Sequence, residues 1–92
     1  MAKLPLKARI LQYAVQKGSA VTIEDIMKDL EPEYSGEKLF NKKLIEEYFD
    51  ALLGVGFLKN EKLEFNDKDE LVIYATVTDY GKDRSRYIPD RQ

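Results

Sequence analysis

The chain of 92 residues has no cysteine, no histidine and no tryptophan. Without cysteine there is no disulfide and no thiolate nucleophile. Without histidine the side chain that most often serves as a general base at neutral pH is missing, and with both gone the commonest zinc ligands go too. Ser19, Ser35 and Ser85 are the only serines, and no imidazole is there to activate one. Catalysis would have to run on carboxylates, lysine or tyrosine alone. The one local carboxylate group, Glu46, Glu47 and Asp50, has the spacing of a solvated helix surface. The expectation is a protein that is not an enzyme and uses no metal and no cofactor. Apolar runs are short as well. None approaches the roughly 18 residues of a membrane span, and the basic start, MAKLPLKARI, lacks the apolar core and cleavage site of a signal peptide. A cytoplasmic protein with no membrane contact is expected.

Ninety-two residues suffice for one domain, which buries roughly 60–65% of its unfolded surface and so has a modest core. Charged residues make up 35% of the chain with both signs mixed, as in a folded soluble domain. The charge is unevenly placed. Residues 1–20 carry four bases and no acids, residues 21–40 and 61–80 each carry six acids against two bases, residues 41–60 balance, and residues 81–92 carry four bases against two acids. Positive charge therefore gathers at the two ends, with a Lys42–Lys43 pair between them.

Hydrophobic periodicity divides the chain into elements. Pro5 suits a first helical turn. Leu6, Ile10, Leu11, Ala14 and Val15 follow at helical spacing and Gly18 stops the run, giving a first helix over about 5–17. Thr22 and Asp25 stand at capping-box positions, ahead of the stripe Ile23, Ile26, Met27, Leu30. A second helix is expected over about 22–30, ended by Pro32. Glu31–Phe40 reads as a loop with a turn at Ser35-Gly36. Asn41 is a good N-cap for a third helix over about 41–54, with Phe40 and Ile45 at staple positions. Ile45, Tyr48, Phe49, Leu52 and Leu53 form its apolar face, while Lys42, Lys43, Glu46, Glu47 and Asp50 face away. Of the glycines at its end, Gly56 fits the left-handed position. Lys62–Asn66 alternates, placing Leu63 and Phe65 on one side. Asp67-Lys68-Asp69 makes a turn, and Leu71, Ile73, Ala75 and Val77 alternate on the return strand, for a hairpin region of about 57–78. Thr78 caps a last short helix over about 79–88, closed by Pro89.

Helix, helix, loop, helix, hairpin and short helix, in that order, resemble the winged helix-turn-helix domains of bacterial and archaeal transcription regulators of the MarR-like and PadR-like kind. Three segments carry the likeness. TIEDIMKDL (22–30) is similar to their first helix-turn-helix helix, IEEYFDALLGVGFL (45–58) to their recognition helix and its exit, and YATVTDYGK (74–82) to the end of their wing. The resemblance implies an α+β fold with a three-helix core, a two- to three-stranded β-wing and a short C-terminal helix in a single domain. It implies a DNA-binding transcriptional regulator that sets its third helix in the major groove of double-stranded DNA. Tyr34, Ser35, Lys38, Asn41, Lys42, Lys43, Glu46, Glu47 and, at the wing tip, Lys68 then fall near DNA. Basic residues from the ends, Lys3, Lys7, Lys82, Arg84 and Arg86, would neutralise phosphates. The chain departs from the family pattern in two respects: about ten residues separate Leu30 from Asn41, where the family turn has three to four, and Glu46, Glu47 and the acidic wing tip Asn66–Glu70 set carboxylates where the family meets phosphate.

Two further expectations concern partners. Six tyrosines are many for this length, and tyrosine is enriched at interfaces. Tyr80, Arg84, Tyr87 and Ile88 share a face of the last helix and are the expected contacts of a homodimer. The alternative to DNA binding is a winged-helix protein–protein interaction module whose acidic 21–40 and 61–80 regions face a basic protein partner.

Overall fold

A computed structural model describes residues 5–38 and 40–88. Lys3 and Pro89, both named above, lie outside the described residues. The fold is α+β, with four helices and a two-stranded antiparallel sheet in the order α1 (Leu6–Lys17), α2 (Ile23–Tyr34), α3 (Lys42–Gly54), β1 (Leu58–Phe65), β2 (Leu71–Val77) and α4 (Asp79–Ser85). No helix among the described residues is long and apolar enough to cross a membrane.

The helix α1 is central, packing against α3, α4 and β2. Six consecutive residues, Arg9 to Ala14, are buried, so the helix is covered over more than its expected apolar stripe. Ile10, Leu11 and Ala14 are core as the spacing predicts. Arg9 joins them because its charge is met: Nε and Nη2 donate to the two carboxylate oxygens of Glu33 at 2.9 Å each, and Nη1 donates to Gln16 Oε1 at 3.0 Å. Tyr13 is buried with its hydroxyl donating to Asp29 on α2. At Gly18 the backbone turns left-handed (φ 69°), which ends the helix.

The N-terminus of α2 forms as expected. Thr22 Oγ1 accepts from Asp25 N and Thr22 N donates to Asp25 Oδ2, each at 3.1 Å, a complete capping box. Its C-terminus differs from the sequence reading. The helix does not stop before Pro32 but runs through it to Tyr34. Proline removes one hydrogen bond and strains the preceding turn. Tertiary contacts offset that loss: the bidentate Arg9–Glu33 pair and the buried ring of Tyr34 both belong to the turn after Pro32. The connection to α3 is thereby reduced to residues 35–41.

Asn41 caps α3 by accepting from Leu44 N at 2.9 Å. Ile45, Phe49 and Leu52 are buried, Tyr48 and Leu53 half-buried, and Lys42, Lys43, Glu46, Glu47 and Asp50 exposed, which is the division the helical spacing predicts. Burying each large apolar side chain fully is worth roughly 1.5–3 kcal/mol, so Phe49, Ile45 and Leu52 bind α3 to the other helices strongly. Gly56 takes the left-handed conformation (φ 87°) and sends the chain into β1.

The strands β1 and β2 pair from Leu58↔Val77 to Phe65↔Leu71, with an irregularity between Asn60 and Lys62. At the tip, Asn66 organises the turn. Its Oδ1 accepts from the backbone N–H of Lys68 (2.8 Å) and Glu70 (3.0 Å), and Asp69 takes a positive φ of 60°. One element was not anticipated. Val21, between α1 and α2, exchanges both backbone hydrogen bonds with Ala75 at 2.8 and 3.0 Å. A one-residue bridge thus adds to the far side of β2.

After β2, Thr78 caps α4 by accepting from Gly81 N at 2.9 Å, while its own hydroxyl donates to Gly56 O at 2.6 Å. The same hydroxyl thus joins the start of α4 to the exit of α3. The last helix ends at Ser85, short of the expected 88. The chain continues in tight turns, with Tyr87 N donating to Arg84 O and Ile88 N to Ser85 O.

Candidate functional site

The exposed N-terminal half of α3 and the hairpin beside it make the surface to which the sequence reading points. Asn41 presents this end of the helix with Lys42 and Lys43 in solvent, and its side-chain amide donates to Lys38 O at 3.2 Å, drawing the preceding loop against the helix start. Ser35, Lys38, Asn41, Lys42, Lys43, Glu46 and Glu47 are all exposed. Four cations elsewhere in the chain, Arg9, Lys59, Lys62 and Arg86, are held by carboxylates. Among the described residues, Lys38, Lys42, Lys43 and Lys68 make no such ion pair, and neither do Lys7, Lys17, Lys28, Lys82 and Arg84; Lys38, Lys42 and Lys43 are set apart by standing together at the start of α3.

Tyr34 has to be removed from this group. Its ring is only 5% exposed and stacks on Phe40 at 5.7 Å with the planes nearly parallel. It is core, drawn in by the extra turn of α2. Among the described residues, the basic side chains from the chain ends do not join Lys42 and Lys43 either: Lys7 lines a groove with Leu52, Phe57 and Arg84. The start of α4 is tied to Gly56, past the C-terminal end of α3, and a 13-residue helix is roughly 20 Å long. Lys82, Arg84 and Arg86 therefore gather at the opposite end of α3 from Lys42.

A cleft of about 170 Å³ separates the start of α3 from the hairpin, lined among others by Lys42, Glu46, Glu24, Glu70, Leu71 and Ile73. Among the described residues that line it, Lys42 is the one cation and faces three carboxylates. Glu70 is held charged below the ordinary carboxylate range, first by the hydrogen bond from Asn66 Nδ2 to its Oε1 at 3.0 Å, then by the positive charges of Lys42 and Lys68. Glu24 and Glu70 fall in the acidic 21–40 and 61–80 regions, but spacing alone singles out neither of them, nor Asn66, as a site residue. The signal for Asn66 was an Asn at the mouth of a turn. Nothing in the local pattern set Glu70 beside Lys42.

The hairpin carries apolar surface outward. Leu63 pairs across from Ile73 and Phe65 from Leu71, so all four share a face. The same face is buried at the base of β2, at Ala75, but Leu63, Phe65 and Leu71 are 52%, 70% and 54% exposed. Lys62 lies on the other face, 4.6 Å above the ring of its partner Tyr74.

At the C-terminal end, Arg84, Tyr87 and Ile88 line an open apolar groove of about 600 Å³ with Leu11, Leu52 and Phe57. Tyr80 meets the edge of Phe57 at 5.0 Å and stays half exposed. Tyr87 is exposed and Ile88 half-buried against the core. No group of His, Cys, Asp or Glu able to hold a metal occurs among the described residues. No protein-family model matches the chain, and no curated protein matches it in sequence.

Proposed function

We propose that the chain is a winged helix-turn-helix domain that binds double-stranded DNA as a transcriptional regulator, with α3 as the recognition helix and the hairpin as the wing. The observation that carries this reading is the exposed, Asn41-capped start of α3. It brings Lys38, Lys42 and Lys43 together without an ion pair to any described carboxylate. Unpaired cations beside the positive end of a helix suit phosphate oxygens. The Val21–Ala75 bridge supports the fold reading, since it ties the root of the hairpin to the connection between the first two helices. Tyr80, Arg84, Tyr87 and Ile88 are the proposed contacts of a homodimer, which would set two α3 helices on two half-sites.

The test is fluorescence anisotropy on a generic duplex over a range of salt, with wild type and Lys42→Ala/Lys43→Ala. Binding by the wild type with a log–log salt slope shallower by about one per removed lysine supports the docking. Equal binding by both proteins, or no binding at low salt, overturns it.

A second reading, a winged-helix protein–protein interaction module that leaves DNA alone, is favoured by the three carboxylates around Lys42 and by the exposed apolar hairpin. Such a surface repels phosphate and suits a protein partner.

A further inference from the structure

We propose, building on the protein-partner reading, that the inner face of the hairpin is a docking surface for a cationic amphipathic segment of another protein. Apolar residues of the partner lie over Leu63, Phe65 and Leu71, and a lysine or arginine enters the cleft between Glu24, Glu46 and Glu70.

Several observations select this occupant. The apolar strip is the outer continuation of a sheet face that is buried at its base, so it is built like core and then left uncovered. It abuts a cleft whose far wall, from α2 and α3, supplies Glu24, Glu46 and Lys42, while the hairpin supplies Glu70, so that three carboxylates face one lysine and the cleft keeps a negative excess. The Asn66 hydrogen bond fixes the Glu70 carboxylate in place. Asp67 and Asp69 at the tip add negative charge. Apolar surface rimmed by carboxylates is complementary to apolar side chains flanked by cations.

A second copy of this chain fits worse on two counts. Two acidic rims would meet, and like charges across an interface oppose association. The strip also offers only on the order of 300 Å² of apolar surface, against about 800 Å² per partner in a stable protein–protein interface. A short segment, helical or extended, matches the size better.

The experiment uses the whole chain and three synthetic 14-residue amphipathic peptides, made of Leu and Lys, Leu and Glu, or Leu and Gln. Backbone amide shifts are followed by NMR. The Leu/Lys peptide is expected to move the amides of residues 63–73 together with those of Glu24 and Glu46. Its affinity should fall roughly tenfold or more in Phe65→Ser, and several-fold in Glu46→Gln/Glu70→Gln. Both variants alter exposed side chains, and thermal melts confirm that they fold. Equal or better binding of the Leu/Glu or Leu/Gln peptide at the same strip overturns the cationic chemistry and leaves the protein-partner reading standing. Shifts that avoid the strip, or binding indifferent to Phe65→Ser, overturn both. Self-association detected by sizing and abolished by Phe65→Ser would assign the strip to a second copy and overturn the inference.

Discussion

The carbonyl oxygen of Phe57 occupies the space where a β-carbon on Gly81 would have to stand. The third residue of α4 thus rides directly on the backbone that leaves α3, and only glycine permits the approach. Both neighbours of the clash are fixed. Phe57 O also accepts from Thr78 N at 3.0 Å, and Gly81 N donates to the Thr78 hydroxyl.

Replacing Gly81 with Ala is therefore expected to cost about 2–3 kcal/mol, at the upper end of overpacking penalties. Gly54 offers the contrast. It is helical, has a negative φ, and a β-carbon there meets nothing within 4 Å. Gly54→Ala should be neutral or slightly stabilising. Urea denaturation of the two variants beside wild type measures the difference, and equal midpoints would contradict the packing at Phe57.

The Arg9–Glu33 pair should behave as a buried interaction that is costly to halve. Arg9→Met leaves Glu33 without its bidentate donor and is expected to cost about 2–4 kcal/mol. Glu33→Gln, which keeps the shape and one acceptor, should cost less. Because the pair holds the turn after Pro32, hydrogen exchange of the last turn of α2 should accelerate more in Arg9→Met than exchange in α3.

Tyr13 gives a pH signature. Burial, followed by its hydrogen bond to Asp29 and the charges of Asp29 and Asp25, raises its pKa well above the ordinary phenol value. The folded chain thus keeps a proton that the unfolded chain releases from about pH 10 upward. Stability from this source is complete below pH 10 and declines above it as the unfolded state deprotonates first. Tyr13→Phe should be less stable than wild type at pH 7. Its stability should also fall less steeply between pH 10 and 11.5, by close to one proton in the linkage slope.

At the hairpin tip, Asn66→Ala should raise the Glu70 pKa toward the ordinary carboxylate value, and Lys42→Ala should raise it by a smaller amount. Side-chain carboxyl NMR during an acid titration reads both. A Glu70 that ignores Lys42→Ala would separate the hairpin from the start of α3 and remove the cleft between them.

Much of the local architecture was legible because it is written in short-range pairs. Thr22 and Asp25 cap α2, Asn41 caps α3, and Gly56 supplies the left-handed exit, all as spacing predicts. The exposed charged flank of α3 followed from its 3.6-residue period. What escaped depends on partners distant in sequence. Proline argues for an early stop to α2, and the helix goes on because of Arg9, 24 positions back from Glu33, and the burial of Tyr34. The same extension turned Tyr34 from a surface candidate into core. The helical spacing of α1 names neither Arg9 nor Tyr13 as core, and both are buried through partners on α2. The cleft carboxylates come from three separate elements, and no window of sequence contains them together.

The Val21–Ala75 exchange divides the hairpin into two mechanical halves. Its root is stitched on both flanks, so it cannot swing as a lever without tearing the connection between the first two helices. The outer half, beyond Lys62, is held by its sister strand and by Ile73 against the core, and its tip at Phe65 and Leu71 stays exposed. Any yielding of the hairpin under load will therefore fall on its tip, while the root keeps its posture relative to the helical body.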